Sequence, residues 1–245
     1  ALAPLLPAWQ ARQLAFIHAC GSPDESRSHF EAMDIVERGA SDKNGPASGW
    51  LGRHLAILDT GNASPLRAIG MGERIQRALY GPVTAQALRS TADFHLGGAL
   101  PQQTRFIHAL SQLYERDDQL AATALATQAA LRLLEQLTPE TYRPADGSAY
   151  PESEFGLALR QIAQLARADV GLEVACVDLG GWDTHIAQGG ATGWMAGLLA
   201  ELAGGLAALY NDLADQTGRL TIIALSEFGR RAGENSGLGT DHGHG

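Results

Sequence analysis

Two short segments carry side chains of metal-ligand type. In GGWDTH, Asp183 and His185 stand two residues apart behind Gly180 and Gly181. Glycines let the backbone turn sharply, and residues i and i+2 of an extended segment share a side. A carboxylate and an imidazole so placed can reach one point, and the pair suits zinc, manganese or iron. The competing reading is a loop network in which Asp183 caps a turn. In TDHGHG, Asp241, His242 and His244 put three metal-type groups within four positions, separated by glycine; the alternative there is a functionless His-rich tail. Arg230 and Arg231 stand between the segments and can hold a phosphate or sulfate oxygen, or form a solvated pair. Near the N-terminus lies Ser26-Arg27-Ser28-His29. A hydroxyl opening a helix there can bind or attack an anion, but Ser28 and Glu31 equally match a capping box. Adjacent helical residues point about 100° apart, which argues against Ser28 and His29 working as a metal-free pair.

The elements that must position these groups are clearest in the last third of the chain. LEVACVDLGG (172–181) and LTIIALSEFG (220–229) are apolar runs, with the helix-like MAGLLAELAGGLAALYNDLADQTG (195–218) between them. Strand, long helix and strand predict a βαβ unit with parallel strands, whose ligand crevice lies beyond the carboxyl ends. The two Asp/His segments fall at that edge. Earlier, LAFIHACG (14–21) reads as a buried strand, with His18 a hydrogen-bonded core residue. A helix follows with Gly39 as its stop, then a loop over 40–48 and a short amphipathic helix over 49–58. From 65 to 100 the pattern is broken by Gly and Pro, and only short helices are expected. Residues 103–137 have helical periodicity through Phe106, Leu110, Leu113, Tyr114, Leu125, Leu131, Leu134 and Leu137. A loop over 138–153 leads to a helix over 155–171. The whole reads as one α/β domain over 1–245, incomplete at both ends, with a helical insertion or cap over 65–170.

Composition narrows the functional classes. The 245 residues are 45% hydrophobic and 18% charged, which fits a packed domain rather than a disordered chain. A net charge of −9 supplies no basic field for nucleic acid or anionic membrane. An anionic substrate would need a local cation such as a metal ion. No stretch approaches the ~20 apolar residues of a membrane span. Cys20 and Cys176 make no disulfide framework; both are expected as buried free thiols, a single bridge being the alternative. P-loop, GxGxxG, GxSxG, HExxH and CxxC patterns are missing. The chain opens without Met in a helix-like run and stops at DHGHG, so it is expected to be an internal portion of a longer protein.

Taken together, LAFIHACGSPDESRSHFEAMDIVERG, VDLGGWDTH and LTIIALSEFGRR…GTDHGHG resemble the bacterial family known as domain of unknown function 1501. The resemblance is strong in those stretches and loose in the middle. It implies an exported protein, periplasmic or extracellular, in the alkaline phosphatase and sulfatase superfamily. The implied fold is a doubly wound, mainly parallel sheet with divalent metals at its C-terminal edge, zinc foremost, with manganese, calcium or magnesium as alternatives. The implied activity is hydrolysis of small phosphate or sulfate esters. By the same resemblance Asp183, His185, Glu227, Asp241, His242 and His244 are metal ligands. Ser28 or His29 falls where the nucleophile would be, with Arg230 beside the substrate. Alkaline phosphatases space the first Asp/His pair four apart, and their Asp-His follows the strand directly, where this chain has Ser226-Glu227. A non-catalytic exported binding or assembly protein that keeps the fold is the alternative. Neither reading fixes an oligomeric state.

Overall fold

The computed structural model describes residues 1–91, 102, 105, 107–109, 119–135, 137, 142–145 and 147–244. Its helices are α1 Leu6–Gln10, α2 His29–Arg38, α3 Trp50–Ile57, α4 Gln119–Leu134, α5 Glu154–Arg167 and α6 Trp194–Asp212. The strands are β1 Ala68–Met71, β2 Gln86–Leu88, β3 Val174–Val177, β4 Arg230–Glu234 and β5 Thr240–His242. The chain is thus mixed α/β, and its main sheet is small and parallel, in the order β2-β1-β3. The chain forms two compact units: residues 1–49, 144–163 and 178–245, and residues 50–143 and 164–177.

The second unit holds the parallel sheet. β1 is central and buried along its length, with Ile69 opposite Gln86 on one side and Ala175 on the other. Leu55 of α3 packs with Ala68 and Leu79, and Leu51, Val83, Ala85, Val174 and Cys176 surround them. Gly52 lets α3 lie directly on the backbone at Tyr80, since a Cβ at 52 would overlap the Tyr80 carbonyl. The Glu173 carboxylate ties the entrance of β3 to the loop before β1. It accepts from Arg67 Nε at 2.8 Å, Asn62 Nδ2 at 2.8 Å and Thr60 Oγ1 at 2.6 Å. Burial pushes this carboxyl up, but those hydrogen bonds and the Arg67 charge outweigh it and hold it below its ordinary range.

In the first unit, Gly39 closes α2 in the left-handed conformation at φ 55°. Arg38, buried in the last turn of α2, binds Asp34 at 2.7 Å and the carbonyls of Gly45 and Pro46. That one guanidinium satisfies the backbone of the loop after the helix. Along α6, Ala203, Gly205, Ala208 and Leu209 form the buried stripe. At its end, buried Asp212 accepts from the Ala145 N–H at 2.9 Å and the Tyr150 hydroxyl at 2.7 Å. β4 and β5 form an irregular antiparallel hairpin with Arg230 opposite His242.

Several expectations are corrected. LAFIHACG forms no strand; Phe16 is 50% and Ile17 82% exposed, and His18 is exposed rather than in a core. Left-handed backbone at Arg12, just before that run, and at Ala19, inside it, interrupts any ladder. LTIIALSEFG likewise joins no sheet among the described residues, and Ile223 and Leu225 are 60% and 61% exposed. The βαβ unit is therefore realised only as β3 and α6. β3 pairs instead with β1, which in turn pairs with β2, and both lie within residues 65–91, where short helices were expected. β1 is a poor strand on paper because Gly70 interrupts it, yet that glycine marks a close approach: a Cβ there would meet Gln76 Oε1 and Ile75 Cα. Neither cysteine is in a disulfide, and Cys20 is exposed rather than buried. The helices over 29–38, 50–57, 154–167 and 194–212 lie where the sequence puts them. In the run over 103–137, α4 holds Leu125, Leu131 and Leu134, while Phe106, Leu110, Leu113 and Tyr114 lie outside the described residues.

Candidate metal centre

The site is built within the first unit from four backbone pieces. Gly181, at φ 95°, turns the chain after β3 into Trp182 and Asp183. Two indoles brace this turn: Trp182 Nε1 donates to the Leu179 carbonyl at 2.7 Å, and Trp194 Nε1, opening α6, donates to the Gly181 carbonyl at 3.0 Å. Residues 184–188 then run antiparallel to 237–240, with Ala187 N–H on Gly237 O at 2.9 Å, Gln188 N–H on Leu238 O at 2.9 Å and Thr240 N–H on Thr184 O at 3.1 Å. Gly239 makes this approach possible, since a Cβ would overlap the backbone of Thr184 and His185. The hairpin brings Arg230 across from His242. Finally, the start of α2 presents His29.

Asp183 is the centre. Its Oδ1 lies 2.9 Å from His242 Nε2, 2.8 Å from His185 Nε2 and 2.7 Å from Arg230 Nη1. Its Oδ2 lies 3.3 Å from His29 Nε2. One ligand atom each from His29, Asp183 and His242 falls within 4.8 Å of the others. His185 adjoins this trio, with its Nε2 3.0 Å from that of His242. Phe228 stacks against His29 and His242 at centroid distances of 4.8 and 4.7 Å, an apolar wall behind the imidazoles.

The far nitrogen of every histidine is occupied. His29 Nδ1 meets Glu227 Oε1 at 2.5 Å, His185 Nδ1 meets Asp241 Oδ1 at 3.0 Å, and His242 Nδ1 meets the Arg27 carbonyl at 2.9 Å. Oxygen acceptors at each Nδ1 call for an N–H there. In the neutral ring that leaves the lone pair on Nε2, so three lone pairs face one carboxylate. In the imidazolium form both ring nitrogens carry a proton, Nε2 can donate to Asp183, and the electrostatics follow from those contacts. The Glu227 hydrogen bond raises the His29 pKa, burial opposes it, and Asp183 adds to the rise. Burial pushes Asp183 up, but Arg230, His242, His185 and His29 together hold it far below the usual carboxylate range. Asn235 and His185 lower Asp241.

A divalent cation fits this donor set. His29 Nε2 is buried and, despite its closeness to Asp183, has no hydrogen-bond partner among the described residues. The 3.0 Å between His185 and His242 Nε2 suits two ligands sharing an ion at the usual Zn–N distance of about 2.0–2.1 Å. Oriented imidazoles whose other nitrogen binds a carboxylate or carbonyl are the outer arrangement of metal sites.

Of the residues singled out in the sequence, Asp183, His185, His242 and His29 meet at the centre. Glu227 and Asp241 stand one layer out, on His29 and His185. Arg230 is committed inward, with Nε on Thr240 Oγ1 at 3.2 Å, Nη2 on the Thr240 carbonyl and Nη1 on Asp183. His244 is exposed, and its carbonyl accepts from the Gly229 N–H. Ser28 is the N-cap residue of α2, but its hydroxyl makes no capping bond, so the capping-box reading is not realised. Sequence reasoning missed Gln188, Thr240, Asn235 and the Arg27 carbonyl. Gln188 Oε1 accepts from Thr184 and Thr240 at 2.8 and 2.7 Å. Only its spacing after Thr184 hinted at a role.

Fold and site together define a mixed α/β protein with a histidine–carboxylate cluster of metal-binding type. Over residues 3–245 the sequence matches the family described as protein of unknown function DUF1501, and the chain belongs to that family. No curated protein and no solved structure matches it.

Proposed function

We propose that this protein is a metal-dependent hydrolase of phosphate or sulfate esters, centred on Asp183, His29, His185 and His242. The observation that carries the metal is the occupancy of all three Nδ1 atoms by oxygens, which turns three Nε2 lone pairs onto one carboxylate. Histidine and carboxylate ligands favour zinc, with manganese, calcium or magnesium as lesser candidates. When bound, the ion would supply Lewis acidity toward an ester oxygen and lower the pKa of water. The chain's own groups prepare that centre. Glu227, Asp241 and the Arg27 carbonyl fix the imidazole tautomers, Arg230 orients Asp183, and Phe228 keeps water from one side. In a chain of net charge −9, a local cation is also what would draw an anionic ester.

The three motifs shared with DUF1501 support placing the protein in the alkaline phosphatase and sulfatase superfamily, with its doubly wound sheet and a periplasmic or extracellular location. A second reading, a binding or assembly protein without turnover, draws on one observation: the Ser28 hydroxyl makes no capping bond and no bond to the cluster. The decisive experiment measures metal content by elemental analysis and turnover of aryl phosphate and aryl sulfate. Stoichiometric metal and turnover, both lost in Asp183→Ala and His242→Ala, are expected. Metal without turnover selects the binding protein, and no metal in the native chain defeats the metal-dependent hydrolase.

A further inference from the structure

Between the two Asp/His segments the chain makes a tight turn, Glu234-Asn235-Ser236-Gly237-Leu238-Gly239. Asn235 uses its whole amide there. Its Oδ1 accepts from the Gly237 and Gly239 N–H groups at 2.9 and 3.1 Å. Its Nδ2 donates to the His185 carbonyl at 3.0 Å and to Asp241 Oδ1 at 2.8 Å. The amide orientation is forced, because a flipped group would set N–H against N–H and oxygen against oxygen. The same Asp241 oxygen meets His185 Nδ1.

We infer that Asn235 is a positioning residue for the proposed metal centre: it fixes Asp241, and through it the tautomer and direction of His185. The ordinary explanation for an Asn in such a turn is local, since the side-chain oxygen mimics a backbone turn by accepting an N–H two residues on. Aspartate does that equally well. The two Nδ2 bonds serve no turn. They reach across to the other strand, tie the GGWDTH segment to the hairpin, and require an N–H donor that aspartate lacks. A carboxylate at 235 would also face the Asp241 carboxylate without a proton between them. The role of Asn235 is thus split between its two atoms, and the split can be measured.

The inference rests on the metal reading for its consequence but not for its test. In the metal-free chain, nitrogen NMR of the imidazoles should show native His185 with its proton on Nδ1. In Asn235→Asp, the turn should keep its Gly237 and Gly239 hydrogen bonds while His185 becomes a mixture of tautomers. Asn235→Ser, neutral and shorter, should show the same mixture, which separates loss of the donor from added charge. An unchanged His185 signal in both variants overturns the inference, whatever the metal does. Zinc titration then reads the consequence: about tenfold weaker binding in Asn235→Asp than in the native chain. Native-like zinc affinity in that variant would also overturn it, whereas a native chain that binds no zinc would overturn the metal reading alone, the NMR result still standing.

Discussion

At the residue scale, the unusual feature is that each member of the cluster already has an oriented partner. Removing a central group and removing its support should therefore differ in degree. His242→Ala deletes a ligand-type nitrogen and should abolish tight zinc binding in calorimetric titration. Glu227→Gln keeps the shape at His29 but exchanges an anionic acceptor for a neutral one, and should weaken zinc about 10- to 100-fold. Equal effects from the two would mean that Glu227 is itself a ligand. Glu173 offers a test away from the site. Its folded pKa lies below the ordinary value of 4.5, so its contribution to stability is complete above that value and is lost as pH falls through the depressed one. Glu173→Gln should flatten the acid limb of a melting-temperature-versus-pH curve; an unchanged limb would place the acid sensitivity elsewhere.

At the element scale, glycines decide which pieces of backbone can touch. Gly239→Ala cannot be accommodated without pushing the 237–240 strand away from Thr184 and His185. It should lower zinc affinity at least tenfold while circular dichroism retains the helical signal, an outcome that retained affinity would refute. Gly52→Ala drives a methyl group into the Tyr80 carbonyl and should cost about 1–3 kcal/mol by denaturant unfolding, as overpacking does. Helices were legible in the sequence because their signals are local: Gly39 stops α2, and the apolar stripe of α6 recurs at helical spacing. Strands were not. LAFIHACG and LTIIALSEFG have the composition of buried strands, whereas Ala68-Ile-Gly-Met71 has a glycine at its middle. Composition reports tolerance of an extended backbone, but a strand exists only where a neighbour supplies hydrogen bonds.

At the scale of the whole molecule, the chain divides into two compact units, and the cluster lies within one of them. Ligand binding stabilises what it binds. Zinc at a hundred times its dissociation constant should add about 2.7 kcal/mol to the unit that contains the cluster. Thermal unfolding with and without a chelator reads this directly, and a melting profile indifferent to zinc would count against a preformed site.

Read alone, the sequence determined the chemistry on offer. Asp183 with His185, and Asp241 with His242 and His244, are metal-type groups at short spacings, and side-chain chemistry belongs to a residue wherever the chain carries it. Which of them meet was decided by tertiary structure. The expected juxtaposition of two parallel strand ends did not form, and the cluster is assembled instead by an antiparallel approach of 184–188 to the β4–β5 hairpin and by the start of α2. Tertiary structure also sorted centre from support, turning Glu227 and Asp241 into partners of imidazoles and sending His244 outward. The reason is geometric. A ligand's role depends on which of its atoms faces the common point, and contacts between residues 29, 183, 227 and 242 are fixed by long-range packing that no local pattern encodes.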